Sequence, residues 1–237
     1  MKAVTLDMWN TLIRDRHYGN LRVRCSARAL TELGIPRSYN EIRDAYLSTH
    51  DFAHGIWRDE NYRFVPVDER LSHILEMLGA DLTEDLRQRV LKDFEEYALT
   101  DPPALAEGAH TTLRYLSSRV RMGVICDSGY TPGRILRRVL AGHRVLRFFQ
   151  VTVFSDETGV NKPHRTMFEK ALSSLDVEPS EAVHVGDTFV TDIVGAKAAG
   201  MKAIWLNKNG QPNIGSYRPD CDIRALPEVT QVLNKIG

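Results

Sequence analysis

Three aspartates and one lysine carry the clearest chemistry in this sequence. Asp7 follows the apolar run Ala3-Val4-Thr5-Leu6, and Asp187 follows Ala182-Val183-His184-Val185-Gly186, with Asp192 five residues further on. Both runs read as short buried strands, so Asp7 and Asp187 stand at strand ends, where open parallel sheets bind their ligands. Carboxylates that face each other across such an edge repel and raise each other's pKa unless a cation intervenes. An all-oxygen donor set completed by water suits Mg²⁺. Lys162 precedes Pro163, an expected first helical residue. Its ammonium would then lie at the positive end of a helix dipole, unfavourable by about 0.3–1 kcal/mol unless an anion sits nearby. These residues describe a metal-assisted site for an anion, with Asp7 as candidate nucleophile.

The elements that must position them fall into two unlike stretches. Between about residues 20 and 98 the chain reads as almost wholly helical. Asn20 is the expected cap of a helix over 21–33 that stops at Gly34, and Ser38-Tyr39-Asn40-Glu41 is a capping box. Asp68 is the expected cap of a segment with Leu71, Ile74, Leu75 and Leu78 on one face, and Thr83 opens another with Leu86, Val90, Phe94 and Tyr97. Amphipathic helices packed this closely in sequence form a small bundle with its own apolar centre.

From Asp101-Pro102-Pro103 onward, strands expected at 121–126, 150–154, 182–186 and 202–206 alternate with helices near 108–119, 132–141, 163–175, 190–199 and 226–236. Pro132 and Pro163 are placed at first helical positions, and Gly142 and Gly200 at C-terminal stops. The pattern predicts an α/β fold, a Rossmann-like parallel sheet with helices on both faces. Residues 3–6 have no strand partner among the helices that follow, so they must join this sheet, and the bundle is an insertion. The expected division is a core of 1–16 and 100–237 and a helical cap of 17–99, hinged near 13–19 and 99–106.

Composition excludes several classes. At 237 residues, 43% hydrophobic and 26% charged, the chain is globular rather than disordered or fibrous. Its 31 basic and 31 acidic residues cancel, leaving no global electrostatic footprint for nucleic acid or an anionic membrane. Cys25, Cys126 and Cys221 form no CxxC pair, which fits a reducing compartment. No apolar run approaches the roughly 20 residues a bilayer requires, and Met1 to Leu6 leads into Asp7 without a signal-peptide stretch. A cytoplasmic location is expected, with a small molecule as partner, neither nucleic acid nor membrane, and room for a homodimer.

Three segments resemble motifs of the haloacid dehalogenase-like hydrolase superfamily. They are Asp7-Met8-Trp9-Asn10-Thr11, Val160-Asn161-Lys162-Pro163, and the run from Val185-Gly186-Asp187-Thr188 through Asp192-Ile193, continuing through Gly195-Ala196 to Ala199-Gly200-Met201. The resemblance implies that Asp7 attacks the substrate and becomes an aspartyl ester, and that Lys162 neutralises charge beside it. It implies a Mg²⁺ ion held by Asp7, the main-chain carbonyl of Trp9, Asp187 and Asp192. Thr11, Cys126, Asp127 and Ser128 are the implied substrate-binding positions. Cys126 aligns with the family's hydroxyl residue, but a thiol donates weakly, which favours Ser128 as donor.

The main departure from the family is Trp9. Family phosphatases carry there an Asp that protonates the leaving group, a loss worth about 10²–10⁴ in rate. Family dehalogenases also lack that Asp, but their fourth motif lacks the Gly186-Asp187 pair retained here. The expected activity is therefore a Mg²⁺-dependent phosphatase of small phosphate esters that favours good leaving groups, with Asp127 or a cap histidine as substitute acid. A 2-haloacid dehalogenase and a catalytically silent phospho-ligand binder are the alternatives. Phosphonate cleavage needs a cap lysine in a Schiff base, and Lys92, the one lysine of the cap, reads as solvated. Taken alone, Asp192 is an ordinary first-turn carboxylate. The segment 54–66, with Trp57, Arg58 and Arg63, is placed where it could overhang the site.

Overall fold

The computed structural model describes residues 1–213 and 215–236. Among these, six parallel strands form one sheet: β1 (Ala3–Leu6), β2 (Arg121–Cys126), β3 (Val151–Phe154), β4 (Ala182–Gly186), β5 (Lys202–Leu206) and β6 (Cys221–Ile223). Their order, β3-β2-β1-β4-β5-β6, reverses direction at β1, so a crevice opens beyond the ends of β1 and β4. The short edge strand β6 is an addition to the sequence reading. Three residues, of which only Ile223 is buried, leave no periodicity to detect.

Between β1 and β2 run α1 (Gly19–Glu32), α2 (Tyr39–Asp59), α3 (Val67–Met77) and α4 (Glu84–Thr100), then α5 (Ala109–Ser117). The remaining helices are α6 (Gly133–Gly142), α7 (Ser155–Thr158), α8 (Arg165–Leu175), α9 (Val194–Ala198) and α10 (Val229–Ile236). Alternate residues of each strand serve opposite layers. Val4, Leu6, Val124 and Val185 pack with α5, α6 and α10, while Ala3, Ile125 and Trp205 pack with α8 and α9. Helices α1–α4 enclose a separate cluster of Val23, Leu30, Ile42, Leu71 and Phe94. One residue from the sheet side joins it: Tyr130, from the loop after β2, stacks on Tyr46 at 5.5 Å and bonds Thr49 Oγ1 at 2.8 Å.

The two connections to the bundle hold each other. Arg14 donates its N–H to the Ala104 carbonyl and Ala106 to that of Leu12, so residues 12–14 pair with 104–106.

Several helix ends differ from expectation. The capping box forms, Ser38 N–H reaching Glu41 at 2.8 Å and Glu41 N–H reaching Ser38 Oγ at 3.3 Å. Helix α1 instead begins at Gly19 with no side-chain cap, and Asn20 accepts from the Tyr39 hydroxyl. Pro66 rather than Asp68 precedes α3, and Asp68 is drawn to Arg87. Gly142 lies inside the last turn of α6, and Arg144 takes the left-handed conformation in its place. Pro132 is the residue before α6, not its first. Helix α8 starts at Arg165, two residues beyond Pro163, so Lys162 is not at a helix N-terminus and the dipole reasoning does not apply to it. Residues 189–193 form a π-helical turn ahead of α9 rather than ordinary helix.

Candidate active site

Asp7 leaves β1 at the crevice, its N–H donating to the Val185 carbonyl on β4 at 2.9 Å. Asp7 is 5% exposed, and its carboxylate accepts from Lys162 Nζ at 2.6 Å through Oδ1. The same ammonium donates to Asp192 Oδ1 at 2.6 Å. Two carboxylates, not a helix dipole, hold the lysine here. Asp187 completes the group: each of Asp7, Asp187 and Asp192 offers an oxygen within 4.8 Å of the others.

Asp192 reaches this point because Gly186 lacks a side chain. A Cβ on Gly186 would meet the Asp192 carboxyl group well inside 3.0 Å. The Asp192 carboxylate is further fixed by the Thr188 N–H at 2.9 Å and by His184 Nε2 at 3.3 Å. His184 Nδ1 in turn contacts Thr5 Oγ1 at 2.9 Å, across the β1–β4 register that sets Thr5 beside His184. This fully buried Thr5–His184–Asp192 chain escaped the sequence reading. Its signal was a polar residue in each apolar strand, on the Asp7 side of the pleat.

Electrostatics separate the carboxylates. Burial first, then Asp192 and Asp187, push Asp7 from 3.8 up to about 8 against the pull of Lys162. Burial and Asp192 push Asp187 up to about 6. Asp192 is held well below its ordinary value by Lys162 and by its bond from His184, which outweigh burial. Lys162 is raised well above its ordinary value because Asp192, Asp7 and Asp127 outweigh its burial. Two of three neighbouring carboxyl groups are thus harder to ionise than a free carboxyl, and the donors are all hard oxygen. Such a set fits a small divalent cation such as Mg²⁺.

The loop after β2 supplies the opposite wall. Asp127 Oδ1 accepts the Lys162 N–H at 2.9 Å, and burial raises its pKa to about 6. Cys126 is fully buried and its thiol is pushed up by burial and then by Asp7. The Ser128 hydroxyl contacts Ser155 Oγ at 3.0 Å and accepts the Asp156 N–H at 3.1 Å, so it is engaged with the β3–α7 junction. Thr11 Oγ1 is fully buried and has no hydrogen-bond partner among the described residues. Trp9 is half-buried and lines a cavity of about 420 Å³ together with Asp127, Ser128, Tyr130, and Tyr18, Arg22, Tyr46 and His50 of the bundle side.

The 54–66 segment docks elsewhere than expected. Trp57 Nε1 donates to the Lys162 carbonyl at 3.0 Å, and the Asn161 N–H donates to the Tyr62 carbonyl at 2.7 Å. It therefore braces the lysine loop against the bundle. Arg58 pairs with Asp59, and Arg63 with Glu60 and Glu69, so neither guanidinium overhangs the aspartates. Lys92 is exposed on α4.

The family model of haloacid dehalogenase-like hydrolases matches residues 1–200. The glyceraldehyde 3-phosphate phosphatase of Pyrococcus furiosus is 40% identical over 134 residues, a match that spans 54% of either chain. The phosphoserine phosphatase of Thermus thermophilus is 34% identical over 97% of this chain and 98% of its own. Among solved structures, the 2-haloacid dehalogenase of Pseudomonas syringae pv. Tomato DC3000 aligns over 100% of both chains at 25% identity, with a TM-score of 0.74. No described helix is long and apolar enough to cross a membrane. With its parallel sheet, its aspartate cluster at the β1–β4 crevice and a family match over most of its length, this chain belongs to the haloacid dehalogenase-like hydrolases.

Proposed function

We propose that the protein is a Mg²⁺-dependent phosphatase of small phosphate esters that acts through an aspartyl-phosphate on Asp7. One observation supports this above others: Asp7 lies 2.6 Å from Lys162 Nζ and within 4.8 Å of two further carboxylates. Lys162 occupies Oδ1, so Oδ2 is the oxygen free to attack phosphorus. Asp7, Asp187, Asp192 and the Trp9 carbonyl would hold the ion. When bound, Mg²⁺ would keep Asp7 ionised and offset phosphoryl charge.

In this reading residues 17–99 act as a cap over a core of 1–16 and 100–237. The Asp7 carboxylate forms a bond to phosphorus as the ester's P–O bond breaks and the alcohol departs. Water then cleaves the acyl phosphate and restores Asp7. Lys162 holds Asp7 in place and balances the charge massed there. Trp9 carries no proton to give, so the leaving group draws one from Asp127, raised to about 6 and facing the same cavity, or from solvent. In this reading Thr11, Cys126 and Ser128 would surround the phosphoryl group, with the Ser128 hydroxyl already engaged by Ser155 and the Asp156 N–H.

The second reading, attack of Asp7 on the carbon of a 2-haloacid, is favoured by Trp9 and by the dehalogenase-named neighbour. The retained pair Asp187 and Asp192 weighs against it, since carbon–halogen displacement has no need of a cation. A screen of phosphate esters and 2-haloacids, with Mg²⁺ and with EDTA, separates the two. Phosphate release that requires Mg²⁺ and falls by about 10⁴-fold or more in Asp7→Asn is expected. Halide release that persists in EDTA, without phosphate release, refutes the proposal.

A further inference from the structure

The bundle side of the cavity holds charge that the aspartate cluster does not use. Arg22, on α1, is 5% exposed, and its Nε and Nη2 donate to the Phe94 carbonyl at 3.2 and 3.0 Å. Its guanidinium lies 4.4 Å from the centre of the Tyr130 ring. Arg70, on α3, lies 5.0 Å from the centre of the same ring and donates Nε to the Val65 carbonyl at 3.1 Å. Arg63 and Arg87 of the bundle, and Arg134 beside it, each pair with a carboxylate. Among the described residues neither Arg22 nor Arg70 does.

A buried cation without a counter-charge is costly, and two beside one ring repel each other as well. Burial, and after it Arg70 and Arg22, holds His50 below its ordinary value. The one carboxylate lining the cavity from the bundle connection, Asp15, lies 3.4 Å from His17 at the exposed mouth. Arg22 therefore faces a cavity of about 420 Å³ whose other wall is Trp9, Asp127 and Ser128 at the sheet edge. In the phosphatase reading, the part of an ester beyond its phosphoryl group would occupy this cavity, which Asp127 and Ser128 line from the sheet side.

We propose that Arg22, supported by Arg70, receives a second anionic group of the substrate, a carboxylate or a second phosphate, so that the preferred esters are small and negatively charged at both ends. This rests on the phosphatase reading for the orientation of the ligand. Tyr130 belongs to the same subsite: by pinning the loop after β2 into the bundle, it sets the distance between the guanidinium and Asp127.

The test uses glycerol 3-phosphate, 3-phosphoglycerate and glycerol 1,3-bisphosphate, which share a three-carbon skeleton and differ at the far end. At least one doubly charged ester should exceed glycerol 3-phosphate by about 10–100-fold in kcat/KM, mostly through KM, the range expected for a hydrogen-bonded ion pair. Whichever is preferred identifies the far group as carboxylate or phosphate. Arg22→Met should erase the preference and Arg22→Lys should retain part of it. Equal kcat/KM for all three, or a preference that survives in Arg22→Met, overturns the proposal. If Arg22→Met does not fold, Arg70→Met at a half-buried position must lower the preference, and an undiminished ratio overturns the proposal. If none of these esters nor p-nitrophenyl phosphate is hydrolysed, the phosphatase reading falls. Calorimetric titration with the same three compounds then decides the anion site alone, a matching order of Kd supporting it and equal Kd overturning it.

Discussion

Rising pH should destabilise the metal-free protein, and Mg²⁺ should reverse the trend. Asp7 moves from 3.8 in the unfolded chain to about 8 in the folded one. Between those values the folded state binds a proton that the unfolded state has released, so unfolding releases protons and stability falls as pH rises. Asp127 and Asp187, each raised from 3.8 to about 6, act in the same direction at the lower end of that window. Asp192, held below its ordinary value, opposes them only in strong acid. From pH 6 to 8 Asp7 alone accounts for about 2 kcal/mol, at about 1.4 kcal/mol per unit while the proton is fully held and less as the group titrates near pH 8. In a domain of this size that is a fall of about 4–8 °C in Tm. A cation that binds only the folded state adds about 2.7 kcal/mol at 100 times its Kd. It must displace protons at lower pH, which weakens it there. The assay is thermal unfolding by circular dichroism at pH 6 and 8, in EDTA and in about 10 mM Mg²⁺, a concentration chosen to exceed Kd. A metal-free Tm as high at pH 8 as at pH 6, or a Mg²⁺ shift equal at both, refutes the reasoning. Asp7→Asn should flatten the slope in EDTA.

Three further outcomes follow from single contacts. Gly186→Ala places a methyl against the Asp192 carboxyl group, so we expect a loss of about 1–3 kcal/mol by overpacking and loss of the Mg²⁺-induced rise in Tm, both read from melting curves. Trp9→Asp should supply the missing acid, raising kcat on alkyl phosphates by about 10²–10⁴ and flattening the dependence of rate on leaving-group pKa; an unchanged dependence would count against a missing acid. Phe94→Ala empties a fully buried position at the centre of the bundle, 6.0 Å from Tyr130, and should cost about 3–5 kcal/mol in urea titration.

Local pattern was enough for the architecture. Short apolar runs separated by amphipathic segments can satisfy their backbones and bury both faces only as a parallel sheet between helices, and the structure has that sheet. Helix ends were less legible. Asn20 and Asp68 have capping side chains, but Tyr39 and Arg87 bind them instead, a choice made by neighbours distant in sequence. The edge strand β6 was invisible because its pairing with β5, not its composition, makes it a strand.

The sequence by itself determined that Asp7 and Asp187 end strands and that the charges of the chain balance. Only the tertiary structure decided which charges meet. The β1–β4 register sets Thr5 beside His184. The absence of a side chain at Gly186 lets Asp192 in, and Lys162, far from all of them in the chain, closes the cluster. The same holds for Arg22, a residue of α1 whose guanidinium is covered by Tyr130 from the sheet side. Spacing along a chain fixes which face a side chain takes, whereas its electrostatic partners and its desolvation depend on contacts that exist only once distant segments pack.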